Sequence, residues 1–281
     1  MGEKATFSGS AAISTTRALC VYVVFDVTNN ANNAETAEVS ITSPTSDVVV
    51  TGGASIGPSN QVSIASTTTI NGGILTQTHY HWRNDNGNEM GATSATGGAE
   101  DTAVTNFAQN TDIRLRLGVT NTGSVTTVPS RFRLEYAPKI TTCASATVWT
   151  DVDTASDGWE MNDSTFLTNG SDTTNIAVAN GGVTDTNTTF ITSNGGVRDT
   201  ESQTATTTAT STQHLDVEFS INSNSFAAYD TTYCFRVSAK GTAFPTYTNY
   251  AELTTSPKRD FFIQRGSTLV SGTSTTLIAG P

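Results

Sequence analysis

The stretch DIRLRLGV (Asp112–Val119) decides the fold class, because its apolar and charged residues alternate with a period of two. Its apolar side chains share one face of an extended chain: Ile113, Leu115, Leu117 and Val119. Arg114 and Arg116 point to the opposite face. Such alternation is typical of a half-buried antiparallel strand. We therefore predict a strand whose apolar face lies in a core and whose arginines lie in solvent.

Three further stretches alternate in the same way: RFRLEY (Arg131–Tyr136), HLDVEFSI (His214–Ile221) and YCFRVSA (Tyr233–Ala239). The charged residues predicted to face solvent in the first two are Arg131, Arg133, Glu135, Asp216 and Glu218. Each strand must bury its apolar face against that of another strand. The sequence therefore predicts an all-β protein built as an antiparallel β-sandwich.

The composition supports the all-β prediction and narrows the range of partners. Threonine makes up roughly a fifth of the chain, and its branched β-carbon favours strands over helices. Charged residues account for 14%, and the formal net charge is −11. An acidic surface repels nucleic-acid phosphates, so we expect no nucleic-acid partner. The chain has no apolar run of about 18 residues, so we expect no membrane insertion.

Three regions are predicted along the chain. Residues 1–75 form an N-terminal β region, either a small sandwich or an added layer, because LCVYVVFDV (Leu19–Val27) is apolar on both faces. Residues 76–257 form the main sandwich, in which residues 151–211 make a long, polar, turn-rich excursion. Long excursions on a rigid scaffold often carry binding function. Residues 258–281 form a C-terminal extension strand.

The chain contains three cysteines: Cys20, Cys143 and Cys234. An odd number leaves one thiol unpaired or pairs it between molecules. Cys143 and Cys234 both lie beside predicted strands of the main sandwich, so we predict a disulfide between them. Three isolated thiols in a reducing compartment are the alternative.

Parts of the main sandwich resemble a known family. TTYCFRVSAKG…YTNYAELTTSP (Thr231–Pro257) resembles the last two strands of fibronectin type III domains, and FRLEYAPKITTCASATVWTDV (Phe132–Val152) resembles the matching middle hairpin. The block that begins with THYHWRNDNGNE (Thr78–Glu89) is also similar to a module repeated in large bacterial surface proteins. The resemblance covers residues 76–257 and implies an Ig- or fibronectin III-like sandwich with an extracellular structural or adhesive role. The excursion departs from an ordinary fibronectin domain.

Candidate catalytic and metal-binding residues are few. His79 and His81 lie on one face of a strand with the spacing of metal ligands, but no third ligand is evident. The chain has no nucleophile elbow, phosphate-binding loop or zinc-protease motif. We therefore predict that the protein is not an enzyme and has no catalytic residues.

Two loops offer oxygen ligands together with a turn glycine: NDNGNE (Asn84–Glu89) and DVDTASDG (Asp151–Gly158). Oxygen ligands at alternating positions are typical of calcium sites. Neither loop matches a complete calcium-binding loop, and turns rich in Asp and Asn need no metal, so we predict no cofactor and no metal ligands. If calcium binds, its candidate ligands are Asp151, Asp153 and Asp157.

Aromatic side chains that could stack on sugar rings are Tyr80, Trp82, Trp159, Tyr247 and Tyr250. Trp82 and Trp149 lie in strand-like segments, so we assign them to the core. Trp159 and Tyr247 remain as candidate glycan contacts. They indicate an alternative function, a carbohydrate-binding adhesin or decoration module on a cell or virus surface.

RDFFIQRGSTLVSGTSTTLIAGP (Arg259–Pro281) has the pattern of a strand that follows a completed sandwich. Its candidate assembly residues are Phe261, Phe262, Ile263, Leu269, Val270, Leu277 and Ile278. A strand without a partner in its own sheet is a template for pairing with another molecule. We therefore predict a non-enzymatic extracellular structural protein that polymerises with itself into a pilus-like surface filament by strand exchange. Pairing within its own chain, or a role as the opening strand of another repeat, are the alternatives.

Overall fold

The computed structural model describes residues 12, 36–51, 55–63, 68–69, 72–153, 158–185 and 189–258, together with the backbone of residues 261–265 and 268–272. The chain divides into two compact units, Met1–Ile70 and Asn71–Pro281. Across the described residues, no helix has the length and apolar character needed to cross a membrane. The stretch Leu19–Val27, predicted as a buried strand, lies outside them.

Short strands are the main regular elements in the described part of the first unit. They are β1 (Thr36–Ala37), β2 (Ser40–Ile41), β3 (Val62–Ser63) and β4 (Thr68–Thr69), with one helical turn, α1 (Pro44–Asp47). Strand β1 pairs antiparallel with β4, and β2 pairs antiparallel with β3. The described residues of the region predicted as N-terminal β thus contain four short strands in two antiparallel pairs.

The second unit contains the strands that the alternating stretches predict. In chain order the described strands are β5 (Leu75–Arg83), β6 (Val104–Phe107), β7 (Thr111–Asn121), β8 (Phe132–Pro138), β9 (Thr150–Asp151), β10 (Trp159–Met161), β11 (Thr189–Phe190), β12 (Val197–Arg198), β13 (Gln213–Ser223), β14 (Thr232–Ala239), β15 (Thr242–Ala243), β16 (Thr246–Tyr247) and β17 (Ala251–Thr255). Two 3-10 turns, Cys143–Ser145 and Val178–Asn180, interrupt the loops.

These strands form two sheets. In sheet I, β5, β7 and β13 are consecutive antiparallel neighbours; β16 pairs with β5, and β10, β11 and β12 pair with β13. In sheet II, β9, β8, β14 and β17 are consecutive antiparallel neighbours, while β6 pairs with β17 and β15 with β14. The predicted all-β antiparallel sandwich is confirmed.

Apolar residues of both sheets form one core between them. Alternate residues of β7, β8, β13 and β14 supply fully buried side chains, including Leu115, Leu134, Val217 and Phe235. Trp82 and Trp159 are also fully buried, and each packs edge-on against Phe235, with ring centroids 5.3 and 4.9 Å apart. Burying one side chain of this size stabilises the fold by about 1.5–3 kcal/mol before entropy is counted.

Short segments cover the borders of the long strands. Three pieces of the excursion share the outer side of β13: β11 pairs at Gln213–His214, β12 at Glu218–Phe219 and β10 at Ile221–Ser223. The outer side of β8 pairs with β9 and, through an isolated bridge at Arg133, with Gln203; a second bridge joins Thr207 to Ser130, just before the strand. Short or covered borders keep a sheet from pairing with other chains. The excursion thus protects the sandwich.

The face of sheet I that points away from the core is buried as well. Arg114, Arg116 and Glu218 are fully buried, and Asp216 is 2% exposed. The prediction that these residues face solvent is therefore wrong, because the excursion and the loop between β5 and β6 cover them. Glu135 of sheet II is also buried, whereas Arg131 is exposed as predicted.

The C-terminal segment contains two described strands instead of one continuous strand. Strands β18 (Phe261–Arg265) and β19 (Thr268–Gly272) pair antiparallel with each other, with Ile263 opposite Val270. Within the described residues, neither strand pairs with sheet I or sheet II. We refer to this pair of strands as the hairpin.

Candidate functional site

A network of buried charges lies on the covered face of sheet I. Its members are Arg83, Asp85, Glu89, Arg114, Arg116, Asp216 and Glu218, and we call this set the charge network. At its centre, the Arg116 guanidinium donates to Glu89 at 2.6 Å, to Asp216 at 2.9 Å and to Glu218 at 3.0 Å. Arg116 and Glu218 face each other in the register of β7 and β13. The strand pairing therefore places opposite charges together.

The other two arginines of the charge network hold the same region together. Arg83 donates from Nη1 to Glu218 at 2.5 Å and from Nη2 to the carbonyl of Ala92 at 3.0 Å. Arg114 donates from Nε to Asp85 at 2.6 Å. Charges removed from water cost several kcal/mol each unless they are paired and hydrogen-bonded. The three arginines are fully buried, so their carboxylate partners are needed to keep this face of the sheet closed.

The charge network also holds the excursion in place. The Glu89 carboxylate accepts hydrogen bonds from the backbone N–H of Thr174 at 3.0 Å and from its hydroxyl at 2.7 Å. Burial alone would raise the pKa of Glu89, but the Arg116 guanidinium and the bonds from Thr174 outweigh it and hold that pKa below its usual value. Gly181 has a φ of 89°, and a β-carbon there would lie 2.6 Å from Arg83 Nε. The excursion therefore lies directly on the buried arginines.

The predicted disulfide is present between Cys143 and Cys234, with their Cα atoms 5.5 Å apart. Cys234 lies on β14, and Cys143 lies in the 3-10 turn that follows β8. The bond fixes the loop between β8 and β9 to sheet II. The prediction of this pair is confirmed, while Cys20 lies outside the described residues.

Four aromatic rings stack near this loop, and we call them the aromatic stack: Phe244, Tyr247, Tyr250 and Trp149. Successive ring centroids lie 5.7, 4.8 and 5.8 Å apart. The Arg236 guanidinium lies 4.1 Å from the centroid of Trp149, a cation–π contact. Burial raises the pKa of Tyr247 to about 12, and its hydroxyl donates to the carbonyl of Val237.

The two candidate glycan contacts lie in different environments. Trp159 is fully buried in the core, so the prediction that its ring can meet a sugar is wrong for this structure. Tyr247 is half-buried, and its ring stacks with the rings of both Phe244 and Tyr250. Trp149, which the sequence assigned to the core, is half-buried as well. Strand-like neighbours in the sequence therefore did not reveal which tryptophan is buried.

A shallow groove of about 470 Å³ lies beside the aromatic stack. Tyr250, Asn249, Asp101 and Glu252 contribute to its lining. Asp101 accepts hydrogen bonds from Asn249 at 2.9 Å and from the backbone of Tyr80 at 3.0 Å, while Glu252 accepts two from Lys139. The polar groups of the groove are thus already engaged by the protein.

Two of the three candidate calcium ligands, Asp151 and Asp153, lie within the described residues. Asp151 and Asp153 line a second groove of about 400 Å³, where Asp151 lies 3.2 Å from Arg133. Asp157 lies outside the described residues. Among the residues that the structure describes, no group of three or more His, Cys, Asp or Glu side chains could hold a metal ion.

The other candidate ligands are engaged by protein groups. In the loop Asn84–Glu89, the two carboxylates belong to the charge network. His79 lies 2.5 Å from Asp101, and His81 is fully buried between Ser94 and the carbonyl of Gly182. The acidic loop that was weighed as a calcium site supplies partners for arginines. Arginines in the neighbouring alternating strand were the sequence signal for that pairing.

The structure describes the predicted assembly strand only in part. The backbone of β18 and β19 contains five of its named residues, from Phe261 to Val270. Leu277 and Ile278 lie outside the described residues. The described backbone of this segment therefore defines a hairpin and its register.

The fold and this site define a two-sheet, disulfide-bonded β-sandwich with one covered face and a C-terminal hairpin. Comparisons with protein-family models, with curated proteins and with solved structures gave no significant match to the chain.

Proposed function

We propose that this chain is a non-enzymatic structural protein of an extracellular surface, and that its copies assemble into a filament by pairing strands. The observation that carries the proposal is the hairpin, whose strands pair with each other and with neither sheet in the described residues. An unpaired strand border is a template for another chain. Its partner in this proposal is another copy of the protein.

The strand order supports a fibronectin III-like or Ig-like module. Strands β5, β7 and β13 follow the order of the first sheet of such domains, with the short pieces beside β13 in the place of a fourth strand; β8, β14 and β17 follow the order of the second. The Tyr233 hydroxyl near the start of β14 accepts a hydrogen bond from the N–H of Ala228 at 2.7 Å. A tyrosine that bonds backbone a few residues upstream is a feature of this architecture.

The disulfide supports the proposed extracellular location. Disulfides form and persist in oxidising compartments and are rare in the cytosol. The bond between Cys143 and Cys234 joins the turn after β8 to β14 and spans 91 residues of sequence. Threonine-rich, lysine-poor composition and a net charge of −11 are in keeping with a surface protein.

Deletion of residues 259–281 tests the proposal. The intact chain should form polymers in sedimentation and electron microscopy, and the truncated chain should remain a folded monomer. Tryptophan fluorescence and an intact disulfide would verify its folding, because all three tryptophans and the disulfide precede the deletion. Normal filaments from the truncated chain, or no assembly of the intact chain, would refute the proposal.

A second variant keeps the chain length. Prolines at Ile263 and Val270, which are opposite each other in the hairpin, remove two ladder N–H groups. We expect this variant to lose polymers as the deletion does. Thr147→Pro is the matched control, because Thr147 is exposed and lies outside any strand. It should polymerise normally.

A further inference from the structure

The outer strands of the sandwich offer little backbone to a partner. In the described part of the second unit, β9, β11, β12, β15 and β16 have two residues each, β10 has three and β6 has four. The two strands of the hairpin have five residues each, which makes them the longest outer strands in the described residues. Strand addition needs a row of free N–H and C=O groups, and among the described outer strands those of the hairpin are the longest.

Strand β6 is a poor template for a second reason. Asn106 in its middle has a φ of 57°, and the register with β17 shifts between Leu253 and Thr255. Irregularities of this kind twist a border strand away from regular pairing. The sandwich therefore lacks a regular acceptor of more than three residues among its described outer strands.

The hairpin differs from these strands in its sequence. Its ten strand residues, FFIQR and TLVSG, contain no proline and no lysine, and Arg265 is their only charged residue. Proteins commonly protect exposed borders with lysine, proline or bulges. An isolated two-stranded hairpin is also only marginally stable in water and needs a third strand or a packing surface. Backbone pairing with a further strand would cover the exposed border and would also supply the third strand.

We propose that hairpins of two copies pair with each other, β18 of one copy beside β19 of the next, and that the sandwich is not the acceptor. This inference rests on the proposed function and specifies the partner surface. Pairing β18 with β19 of the next copy is head-to-tail and leaves one outer strand open at each end, so it continues. Pairing of β18 with β18, or of β19 with β19, would close locally between two copies.

Co-assembly with truncated copies distinguishes the two acceptors. Intact chain and chain lacking residues 259–281, carrying different tags, are mixed in equal amounts before assembly. If the sandwich were the acceptor, truncated copies would still receive a hairpin and enter the polymers. We expect truncated copies to be excluded, so that the polymers contain no more of them than of an unrelated folded protein. An intact chain with the second tag is the matched control and should enter at the mixing ratio.

Each outcome decides between the proposals. Truncated copies found in polymers at a substantial fraction of the mixing ratio would overturn hairpin-to-hairpin pairing while leaving strand-based assembly in place. No polymers from the intact chain alone would overturn the proposed function and this inference together. The size distribution tests the head-to-tail order: oligomers should lengthen steadily with concentration, whereas assembly that stops at a dimer would overturn that order.

Discussion

Replacement of Arg116 by methionine is the sharpest test of the covered face of sheet I. Arg116 is fully buried and lies within 3.0 Å of three carboxylates, those of Glu89, Asp216 and Glu218. Methionine keeps most of the side-chain length but removes the charge, which leaves four carboxylates of the charge network facing two guanidiniums. Removing one partner of a buried ion pair typically costs about 3–5 kcal/mol. We expect a loss of that size in the free energy of unfolding.

Tryptophan fluorescence during urea unfolding measures this loss in the right part of the chain. Trp82, Trp149 and Trp159 all belong to the second unit, so their signal reports its unfolding. For a unit of about 200 residues, 1 kcal/mol changes the melting temperature by roughly 2–4 °C. When the same fluorescence is followed on heating, we therefore expect the melting temperature to fall by roughly 6–20 °C. Arg131→Met is the matched control; Arg131 is exposed, and its replacement should change stability by about 0.5 kcal/mol or less.

A second substitution separates charge from packing. Asp216→Asn added to Arg116→Met removes one of the stranded charges, so the two effects should be non-additive by about 0.5–3 kcal/mol. If Arg116→Met costs less than about 1 kcal/mol, or no more than Arg131→Met, buried ion pairing does not hold the excursion on the sheet. The reasoning about the covered face would then be wrong.

Three further outcomes are expected. Alanine at both cysteines of the disulfide should destabilise the second unit by about 4–5 kcal/mol in the chain-entropy model, measured by urea unfolding against the oxidised wild type; an unchanged midpoint would contradict this. Replacing Glu89 and replacing Asp199 by the matching amide should change the stability of the fold in opposite directions at neutral pH. The lowered pKa of Glu89 stabilises the fold above the usual glutamate pKa, so Glu89→Gln should lower stability at pH 7 and converge with wild type as the pH falls. Burial, followed by the nearby charges of Asp163 and Asp85, raises the pKa of Asp199, so its ionised form destabilises the fold. Asp199→Asn should therefore raise the free energy of unfolding at pH 7 and lose this gain in acid. Changes of the same sign for the two variants at pH 7, measured in a pH series of unfolding curves, would contradict this account. Trp149→Ala should cost about 1–3 kcal/mol through lost stacking and cation–π contact, whereas exposed Val148→Ala should cost less than about 0.5 kcal/mol in the same assay.

Local alternation was sufficient to predict the long strands, but it could not identify what covers them. The pattern of Asp112–Val119 correctly predicts a strand with two unlike faces. It contains no information on Thr174, which lies 58 residues beyond Arg116 and accepts a hydrogen bond from it through its carbonyl. A charged face beside an acidic loop and an acidic strand was the available signal for burial. Only tertiary structure decides whether such charges meet each other or water.

The candidate site was predicted less completely, for a related reason. The disulfide followed from two cysteines beside strands of the same module, and it is confirmed. The burial of Trp159 was missed, because its three-residue strand lies in a polar, turn-rich stretch and pairs with β13 about 60 residues away. The hairpin was predicted as one strand, because its sequence was interpreted as a single continuous apolar pattern and not as two strands that pair with each other.

The division of the outer side of β13 among three short pieces also sets where the chain can change length. Each piece is located by its own few backbone hydrogen bonds to β13, and the connections between pieces do not set that register. An insertion between Thr165 and Phe166, both exposed, could therefore be absorbed as a larger surface loop, whereas one beside Thr174 or Gly181 would disturb the contacts with the charge network. The excursion can thus acquire new segments while the underlying sandwich keeps its architecture.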